Sequence, residues 1–178
     1  GCGTMGAGIA IVAARAGFRT IVFDERADAL EKARNQTQGF FAKSIEKGKL
    51  TSTRVDAIMD NLIGTTKIDD LAQCDLVIEA VFEDLKVKHA LLGALNKVCP
   101  AHTVFVSNTS TLSITEIAAG SGRDERVVGM HFCLPAQLMK LVEMSPGINT
   151  SDSAFQNAWE CCVEIEKKPV KTKDNPGF

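Results

Sequence analysis

The sequence has 178 residues, of which 45% are hydrophobic and 24% are charged, and its formal net charge is −2. A chain of this length and apolar content can bury one sizeable core, so we expect a single globular unit. The small negative charge gives no electrostatic reason to bind nucleic acid or an anionic membrane, and we predict neither as a partner. The sequence contains no apolar run near the ~20 residues of a membrane helix and no recognisable signal peptide.

The cysteine and histidine content favours neither a disulfide framework nor a metal centre. The six cysteines include no C-x-x-C pair, and the sequence has only three histidines. These features predict free thiols in a reducing compartment and no bound metal. We therefore expect a soluble cytoplasmic protein, or a mitochondrial matrix protein if the source is eukaryotic.

Apolar and charged stretches alternate along the chain as strands alternate with helices. In chain order, the pattern predicts helix 4–16, strand 19–24, helices 27–49 and 51–62, strand 74–81, a helix within 82–99, strand 103–106, helix 114–119, strands 126–132 and 140–144, helix 151–167 and a short strand within 169–173. Alternation over the first two thirds predicts βαβ units and an α/β fold with a doubly wound, mainly parallel sheet. The strands 126–132 and 140–144 add an antiparallel portion.

The chain opens with GCGTMGAGIA, in which Gly1, Gly3 and Gly6 have the spacing G-x-G-x-x-G. This spacing marks a dinucleotide-binding turn where a strand leads into it and a helix leads out. Backbone N–H groups at such a helix start face the cofactor's pyrophosphate, so we count Thr4 and Met5 with the cofactor-binding residues. A helix follows here, but no strand precedes Gly1. We expect that the first strand of the sheet is missing from this chain.

Asp24 supports a cofactor loop rather than a chance run of glycines. It ends a buried strand 18 residues beyond Gly6, close to the ~20 expected for the acid that hydrogen-bonds the adenosine ribose. A carboxylate there accepts from a 2′-hydroxyl and repels a 2′-phosphate, which favours NAD over NADP. Arg26 stands nearby and can serve a phosphate. The alternative is that Asp24 is a solvated turn residue at a strand end.

The stretch GMHFCLPAQLMKLVEM carries the strongest sign of chemistry. If its two strands form an antiparallel hairpin centred on Gln137, His131 lies opposite Glu143, and opposed residues share a face. A carboxylate there fixes the imidazole tautomer and stabilises the protonated ring, which makes a general base. The alternative is a surface ion pair between strands. His89 and His102 have no such partner in the pattern, and we interpret both as structural or solvated.

Polar residues follow strand 103–106 in the stretch SNTSTLS. The carboxyl end of a parallel sheet opens onto the ligand crevice, so Asn108, Thr109 and Ser110 are placed to donate to a substrate oxygen or to the cofactor. The alternative is a capping cluster for the short helix behind them. Capping accounts for Thr111 or Ser113.

Five motifs together resemble the NAD-binding domain of the L-3-hydroxyacyl-CoA dehydrogenases, including the 3-hydroxybutyryl-CoA enzymes. They are GCGTMGAGIA, VFDE, VIEAVFEDLKVK, SNTSTLSI and HFCLPAQLMKLVEM, in family order. The resemblance implies a Rossmann-like NAD-binding domain over residues 1–172, and residues 173–178 resemble the start of the crossover to a helical C-terminal domain. It also implies NAD as cofactor, an acyl-CoA substrate from fatty-acid β-oxidation or short-chain acyl-CoA metabolism, and a homodimer formed through that further domain.

The resemblance also assigns roles to individual residues. His131 is implied as the catalytic base, Glu143 as the residue that orients it, and Ser110 as a contact of the substrate's 3-oxygen and of the cofactor. Glu83 and Lys88 match positions at the nicotinamide end of NAD. Without the family, these last two residues would be interpreted as an exposed helical charge pair.

Two further lysines and one substitution complete the resemblance. Lys47 and Lys49 fall where the family contacts coenzyme A phosphates, and their alternative is a solvated helix end. The family motif HFFNP is HFCLP in this sequence, so Leu134 stands where the family has asparagine. Leucine can neither donate nor accept a hydrogen bond, which puts that nicotinamide contact and the substrate range in doubt.

The resemblance implies oxidation of an L-3-hydroxyacyl-CoA, with hydride transfer to NAD⁺ and removal of the hydroxyl proton by His131. Two alternatives remain open. One is an NAD-dependent dehydrogenase that acts on a different 3-hydroxy acid, which the leucine in HFCLP favours. The other is a nucleotide-binding module that has no turnover as this chain alone.

Overall fold

The computed structural model describes residues 1–175 and residue 177. The helices are α1 Thr4–Arg15, α2 Ala27–Glu46, α3 Ser52–Asp60, α4 Leu85–Val98, α5 Ile114–Ala119 and α6 Asp152–Glu164. The strands are β1 Thr20–Phe23, β2 Leu62–Thr65, β3 Leu76–Glu79, β4 Val104–Ser107, β5 Val127–Phe132, β6 Leu141–Pro146 and β7 Lys168–Lys171. Short 3₁₀ turns cover Ile68–Leu71 and Asp124–Arg126.

The strands form two sheets that are parallel except at one junction. β1 pairs with β2 in parallel, and a five-stranded sheet has the order β3-β4-β5-β6-β7. In the larger sheet only the β5–β6 junction is antiparallel. The predicted α/β fold, mainly parallel with an antiparallel portion, is confirmed.

Helices cover both faces of the larger sheet, because successive side chains of a strand point to opposite faces. On one face, α1 and α6 pack on Val104, Val106 and Met130. On the other face, α4 and α5 pack on Phe105 and Val127. The sheet is therefore a buried central layer, as parallel sheets in α/β proteins are, and the carboxyl ends of β3, β4 and β5 meet at one edge.

A cleft separates the two sheets between β1 and β3. Its volume is about 630 Å³, and residues 20–23 and 76–80 line it on opposite sides. No ladder joins β1 to β3 in the described part of the chain, and Gly1 lies at one end of the cleft. The cleft lies where the glycine-loop interpretation places the first strand. The absence of such a strand from the chain stays a prediction, as does the domain boundary at residue 172.

The structure corrects several predicted boundaries. The prediction missed β2, whose four residues pair only with the distant β1, and helix 51–62 ends earlier at Asp60. The left-handed φ of Glu166 (61°) and of Gly48 (63°) shows why the predicted helices 151–167 and 27–49 are too long. The predicted crossover segment 173–178 includes Pro176 and Phe178, which lie outside the described residues.

Arg123 fastens the end of α4 to the sheet. Its buried guanidinium donates to the carbonyl oxygens of Asn96 (3.1 Å), Cys99 (3.1 Å) and Pro100 (2.5 Å). It also stacks on the Phe105 ring, 4.7 Å from the centroid. The carbonyl oxygens at the end of a helix have no hydrogen-bond donor within the helix. Here the Arg123 side chain donates to several carbonyl oxygens at and just after the end of α4.

We expect Arg123→Met to lower the free energy of unfolding by about 2–3 kcal/mol, because buried carbonyl oxygens lose a charged donor. Urea denaturation followed by circular dichroism measures the change. Arg34→Met on the exposed face of α2 is the matched control and should stay within about 0.5 kcal/mol of the parent. Equal stability of the two variants would show that Arg123 does not hold α4.

Candidate active site

The glycine turn leaves the start of α1 open to a ligand. A side chain on Gly6 would overlap the carbonyl oxygen of Gly1, and a Cβ on Gly1 would lie 2.9 Å from the Ala80 oxygen. No atom lies within 4 Å of a Cβ built on Gly3, and no side chain caps α1. The turn therefore packs tightly on the end of β3 while its outer side is accessible. This shape fits a pyrophosphate held by N–H groups at a helix N-terminus.

Asp24 contacts the glycine turn from the end of β1. Its Oδ2 accepts from the backbone N of Cys2 (3.0 Å) and from the Cys2 thiol (3.3 Å), and its Oδ1 accepts from the Arg26 backbone N (3.1 Å). Partial burial raises the pKa of Asp24, but the two backbone donors, the Cys2 thiol and the charge of the Gly1 amino group together leave the pKa below its ordinary value. The Arg26 guanidinium pairs with Asp28. Asp24 is thus a carboxylate placed to accept from ribose hydroxyls.

His131 and Glu143 are paired as the hairpin predicts. The strand register sets His131 opposite Glu143, and imidazole Nδ1 lies 2.8 Å from carboxylate Oε2. The two side chains are 25% and 30% exposed. Because a carboxylate only accepts, Nδ1 carries the proton in the neutral ring, and the ring lone pair is at Nε2. This is the arrangement of an oriented general base.

Asn108 joins the loop after β4 to the strand that carries His131. Its Oδ1 accepts from the backbone N of Phe132 at 2.9 Å, and its own backbone N donates to the backbone carbonyl oxygen of Glu79 at 3.0 Å. One residue thus ties the ends of β3, β4 and β5 together. The structure brings the predicted residue Asn108 next to the predicted base, and its contact with a cofactor stays a prediction.

Glu83 organises the loop that carries Ser110. Its Oε1 accepts from the Ser110 backbone N (3.0 Å), the Thr111 backbone N (3.2 Å) and the Thr111 hydroxyl (3.1 Å), and from the Thr109 hydroxyl. Partial burial raises the pKa of Glu83, but the Thr109 hydrogen bond, the Lys88 charge and the two backbone donors lower it to about 2. Glu83 is therefore ionised at neutral pH.

Lys88 corrects the interpretation of an exposed charge pair. Only 1% of its side chain is exposed, and its ammonium donates to both Glu79 oxygens at 2.7 and 3.0 Å. The Oε2 of Glu83 is 3.3 Å away. The Glu79 carboxylate also accepts from the Ser107 hydroxyl and from the Val81 backbone N at 3.1 Å. The burial of Lys88 means that it acts chiefly on the two carboxylates beside it.

Sequence reasoning missed Glu79, which is 2% exposed at the end of β3. An acid inside the apolar run VIEAV was the available signal, because a buried carboxylate needs a buried cation or several donors. The lysine nine residues later supplies that cation. The spacing alone did not indicate the contact.

The remaining predicted site residues lie on the surface of the domain. Ser110 is exposed on its loop, and Lys47 and Lys49 are exposed at and after the end of α2.

The prediction that His89 and His102 both have no carboxylate partner is wrong for His102. Its Nε2 lies 3.3 Å from Asp75, on an exposed surface. The ring of His89 bonds the Glu116 carbonyl oxygen at 2.7 Å, and Ser113 caps α5.

Comparison with known proteins decides the family. The family model described as "3-hydroxyacyl-CoA dehydrogenase, NAD binding domain" matches residues 1–175. The chain belongs to this family. The cofactor of the domain is NAD, as the ionised Asp24 and the open glycine turn fit.

Relatives of this NAD-binding domain come from bacteria and from mitochondria. The chain is 38% identical to the probable 3-hydroxybutyryl-CoA dehydrogenase of Bacillus subtilis, over 100% of its own length and 62% of the relative's. It is 38% identical to the mitochondrial hydroxyacyl-coenzyme A dehydrogenase of Homo sapiens, again over its full length and 59% of the relative's. The crystal structure of 3-hydroxybutyryl-CoA dehydrogenase from Escherichia coli K12 superposes with a TM-score of 0.97 at 43% identity, over 100% of this chain and 38% of that one.

The chain thus spans less than two thirds of the curated relatives that it matches. Among the described residues, no helix is long and apolar enough to cross a bilayer. In the same part of the chain, no group of three His, Cys, Asp or Glu side chains is arranged to hold a metal ion.

We expect Lys88→Met to destabilise the domain by about 3–5 kcal/mol, because it leaves the buried Glu79 carboxylate without a cation. Lys86→Met, on the exposed side of the same helix, should change stability by less than about 0.5 kcal/mol. Adding Glu79→Gln to Lys88→Met should recover part of the loss, because the amide carries no charge. Urea denaturation of the three variants measures these changes. If Lys88→Met were as stable as Lys86→Met, the buried pair would not hold the site.

Proposed function

We propose that the chain is the NAD-binding domain of an enzyme that oxidises an L-3-hydroxyacyl-CoA to the 3-oxoacyl-CoA. The observation that carries this proposal is the His131–Glu143 pair, whose ring nitrogen and carboxylate oxygen are 2.8 Å apart. Membership of the NAD-binding domain family identifies NAD as the cofactor. The relatives named for 3-hydroxybutyryl-CoA and hydroxyacyl-CoA support the substrate class.

The chemistry requires that a proton leave the 3-hydroxyl while a hydride leaves C3. Bound NAD⁺ supplies the hydride acceptor. His131 accepts the hydroxyl proton at Nε2, because Glu143 keeps the other ring proton on Nδ1. Glu143 then stabilises the imidazolium that forms. Ser110 donates from its hydroxyl to the 3-oxygen and so holds the reacting carbon in place.

The cofactor lies along the strand ends in this proposal. The N–H groups of Thr4 and Met5, between Gly3 and Gly6, hold the pyrophosphate, since the turn is open at Gly3. Asp24 accepts from the adenosine ribose. At the other end, Glu83 and Asn108 flank the nicotinamide, and Lys88 acts on it through Glu83, 3.3 Å away. Gly1 and Gly3 let the backbone of the turn approach the cofactor closely, and Gly1 also packs on the end of β3.

Lys47 and Lys49 bind the phosphates of coenzyme A in this proposal. Both side chains are exposed, and both carry the charge that phosphates require. We further propose that the complete protein is a cytoplasmic homodimer, paired through a helical domain after the crossover. It acts in fatty-acid β-oxidation or in short-chain acyl-CoA metabolism.

Leu134 favours a second candidate function, the oxidation of a different 3-hydroxy acid. It follows His131 by three residues, and its side chain is 62% exposed, so apolar surface stands where the family motif has a hydrogen-bonding amide.

We expect the complete protein to oxidise NADH with acetoacetyl-CoA at least about tenfold more efficiently than with free 3-oxo acids. Initial rates of NADH loss measure both. Preference for the free acid would favour the second candidate, and no turnover with either would favour a binding module.

We expect His131→Ala in the complete protein to lower turnover by roughly 10²–10⁴-fold, the usual contribution of a general base. Affinity for NAD should change little, because the glycine turn and Asp24 remain intact. Initial rates and calorimetric titration of NAD measure the two effects. His102→Ala is the control, since it removes a histidine with a carboxylate neighbour that lies before β4, at the amino ends of the strands rather than at the carboxyl ends where His131 lies. Near-normal turnover of His131→Ala would defeat the assignment.

A further inference from the structure

The loop formed by residues 108–113, here named the Ser110 loop, is bonded by carboxylates at both of its ends. Glu83 accepts four hydrogen bonds from Thr109, Ser110 and Thr111, as described above. Within the loop, the Thr109 hydroxyl accepts from the backbone N of Thr111 at 3.3 Å and of Leu112 at 3.0 Å. The first half of the loop is therefore fixed to the start of α4.

Asp174 binds the last residue of the loop and the start of α5 from a position about 60 residues further along the chain. Its Oδ2 accepts from the Ser113 hydroxyl (2.9 Å), the Thr115 backbone N (2.9 Å) and the Thr115 hydroxyl (2.6 Å). Its Oδ1 accepts from the Ile114 backbone N at 2.7 Å. Ser113 already caps α5 through the Glu116 backbone N at 3.3 Å. The Asp174 carboxylate satisfies other donors, at the junction of loop and helix.

Asp174 is itself held to the strand that carries Glu143. Two residues before it, the Thr172 backbone N donates to the Met144 oxygen at 2.8 Å, and the Thr172 hydroxyl lies 3.3 Å from the same oxygen. Met144 is the next residue after Glu143. The Thr115 hydroxyl, which donates to Asp174, also accepts from the Ile148 backbone N at 2.9 Å beyond the end of β6. The segment 172–174 thus bridges β6 to the Ser110 loop.

We propose that Asp174 is a positioning residue that sets the Ser110 loop relative to the His131–Glu143 pair and so couples the chain after β7 to the active site. This inference rests on the proposed function of Ser110. Ser110 lies in the loop after β4 and His131 lies in β5, yet both must reach one substrate oxygen. The carboxylate of Asp174 connects the two through Ser113 and the start of α5, whereas Glu83 bonds residues 109–111.

Asparagine at position 174 cannot replace this carboxylate. The donors divide between the two oxygens, three at Oδ2 and one at Oδ1. In either orientation of the amide, its NH₂ group faces a backbone N–H, of Ile114 or of Thr115, and two donors cannot bond. The charge that these donors stabilise is also lost. Asp174→Asn is therefore a small change in shape that breaks the bridge.

Amide hydrogen exchange of the complete protein tests the coupling directly. In Asp174→Asn we expect faster exchange at Ile114 and Thr115, and also at Ser110 and Thr111, whose amides bond Glu83 and not Asp174. Faster exchange at Ile114 and Thr115 alone would mean that Asp174 is a local contact of α5 only, which would overturn the proposal. Asp56→Asn, an exposed acid on α3, is the control for the loss of one negative charge and should leave all four amides unchanged.

Kinetics of the same variants test the consequence for the reaction. We expect kcat/KM for the 3-hydroxyacyl-CoA to fall about tenfold in Asp174→Asn, less than the ~10²-fold cost of a 1 Å misplacement, with unchanged NAD affinity. Asp174→Glu should recover part of the loss because it keeps the carboxylate. Unchanged kcat/KM in Asp174→Asn, with Ser110→Ala impaired, would overturn the positioning role.

One further variant, Ser113→Ala, and the two active-site variants keep the outcomes distinct. If Asp174→Asn does not fold, Ser113→Ala removes one hydroxyl donor and should give the same pattern of exchange at a smaller amplitude. Its failure to do so would overturn the proposal. If His131→Ala and Ser110→Ala both keep normal turnover, the proposed function fails, whereas the exchange experiment still decides whether Asp174 holds the loop.

Discussion

A positive charge buried away from water is the constraint on which the rest of the site depends. The ammonium of Lys88 is buried beneath the strand ends, and a buried charge is tolerated only with a close partner of opposite sign. Glu79 is that partner, at 2.7 Å. Because Glu79 ends β3 and Lys88 lies in the first turn of α4, their pairing fixes the start of α4 against the sheet. Glu83, which precedes α4, is fixed with it.

Carboxylates hold the irregular segments at this edge of the sheet. Asp24 binds the glycine turn, and Glu83 binds residues 109–111 of the Ser110 loop. Asp174 binds Ser113 and the start of α5, and Glu143 binds the imidazole ring of His131. About half of the donors are backbone N–H groups, whose positions vary little once they are bonded, and most of the others are side-chain hydroxyls. A site built in this way is preorganised, so little of the binding energy of a substrate is needed to order it.

The sequence predicts what local patterns determine. Alternating apolar and charged stretches predict most of the helices and strands, and the symmetry of the hairpin about Gln137 predicts that His131 faces Glu143. What the sequence does not predict depends on distant parts of the chain. β2 exists because β1 pairs with it, and the burial of Lys88 depends on Glu79. The contact between Asp174 and α5 joins segments 59–61 residues apart. No local periodicity encodes such contacts.

In the proposed reaction, one imidazole, oriented by one carboxylate, takes the proton of the alcohol that is oxidised. The most direct measurement is a crystal structure of the complete protein with NAD and a 3-oxoacyl-CoA bound. We expect His131 Nε2 to lie within hydrogen-bond reach of the 3-oxygen, about 2.6–3.2 Å away, while Nδ1 keeps its contact with Glu143. A 3-oxygen bound elsewhere, with the imidazole directed away from it, would contradict the general-base role of His131.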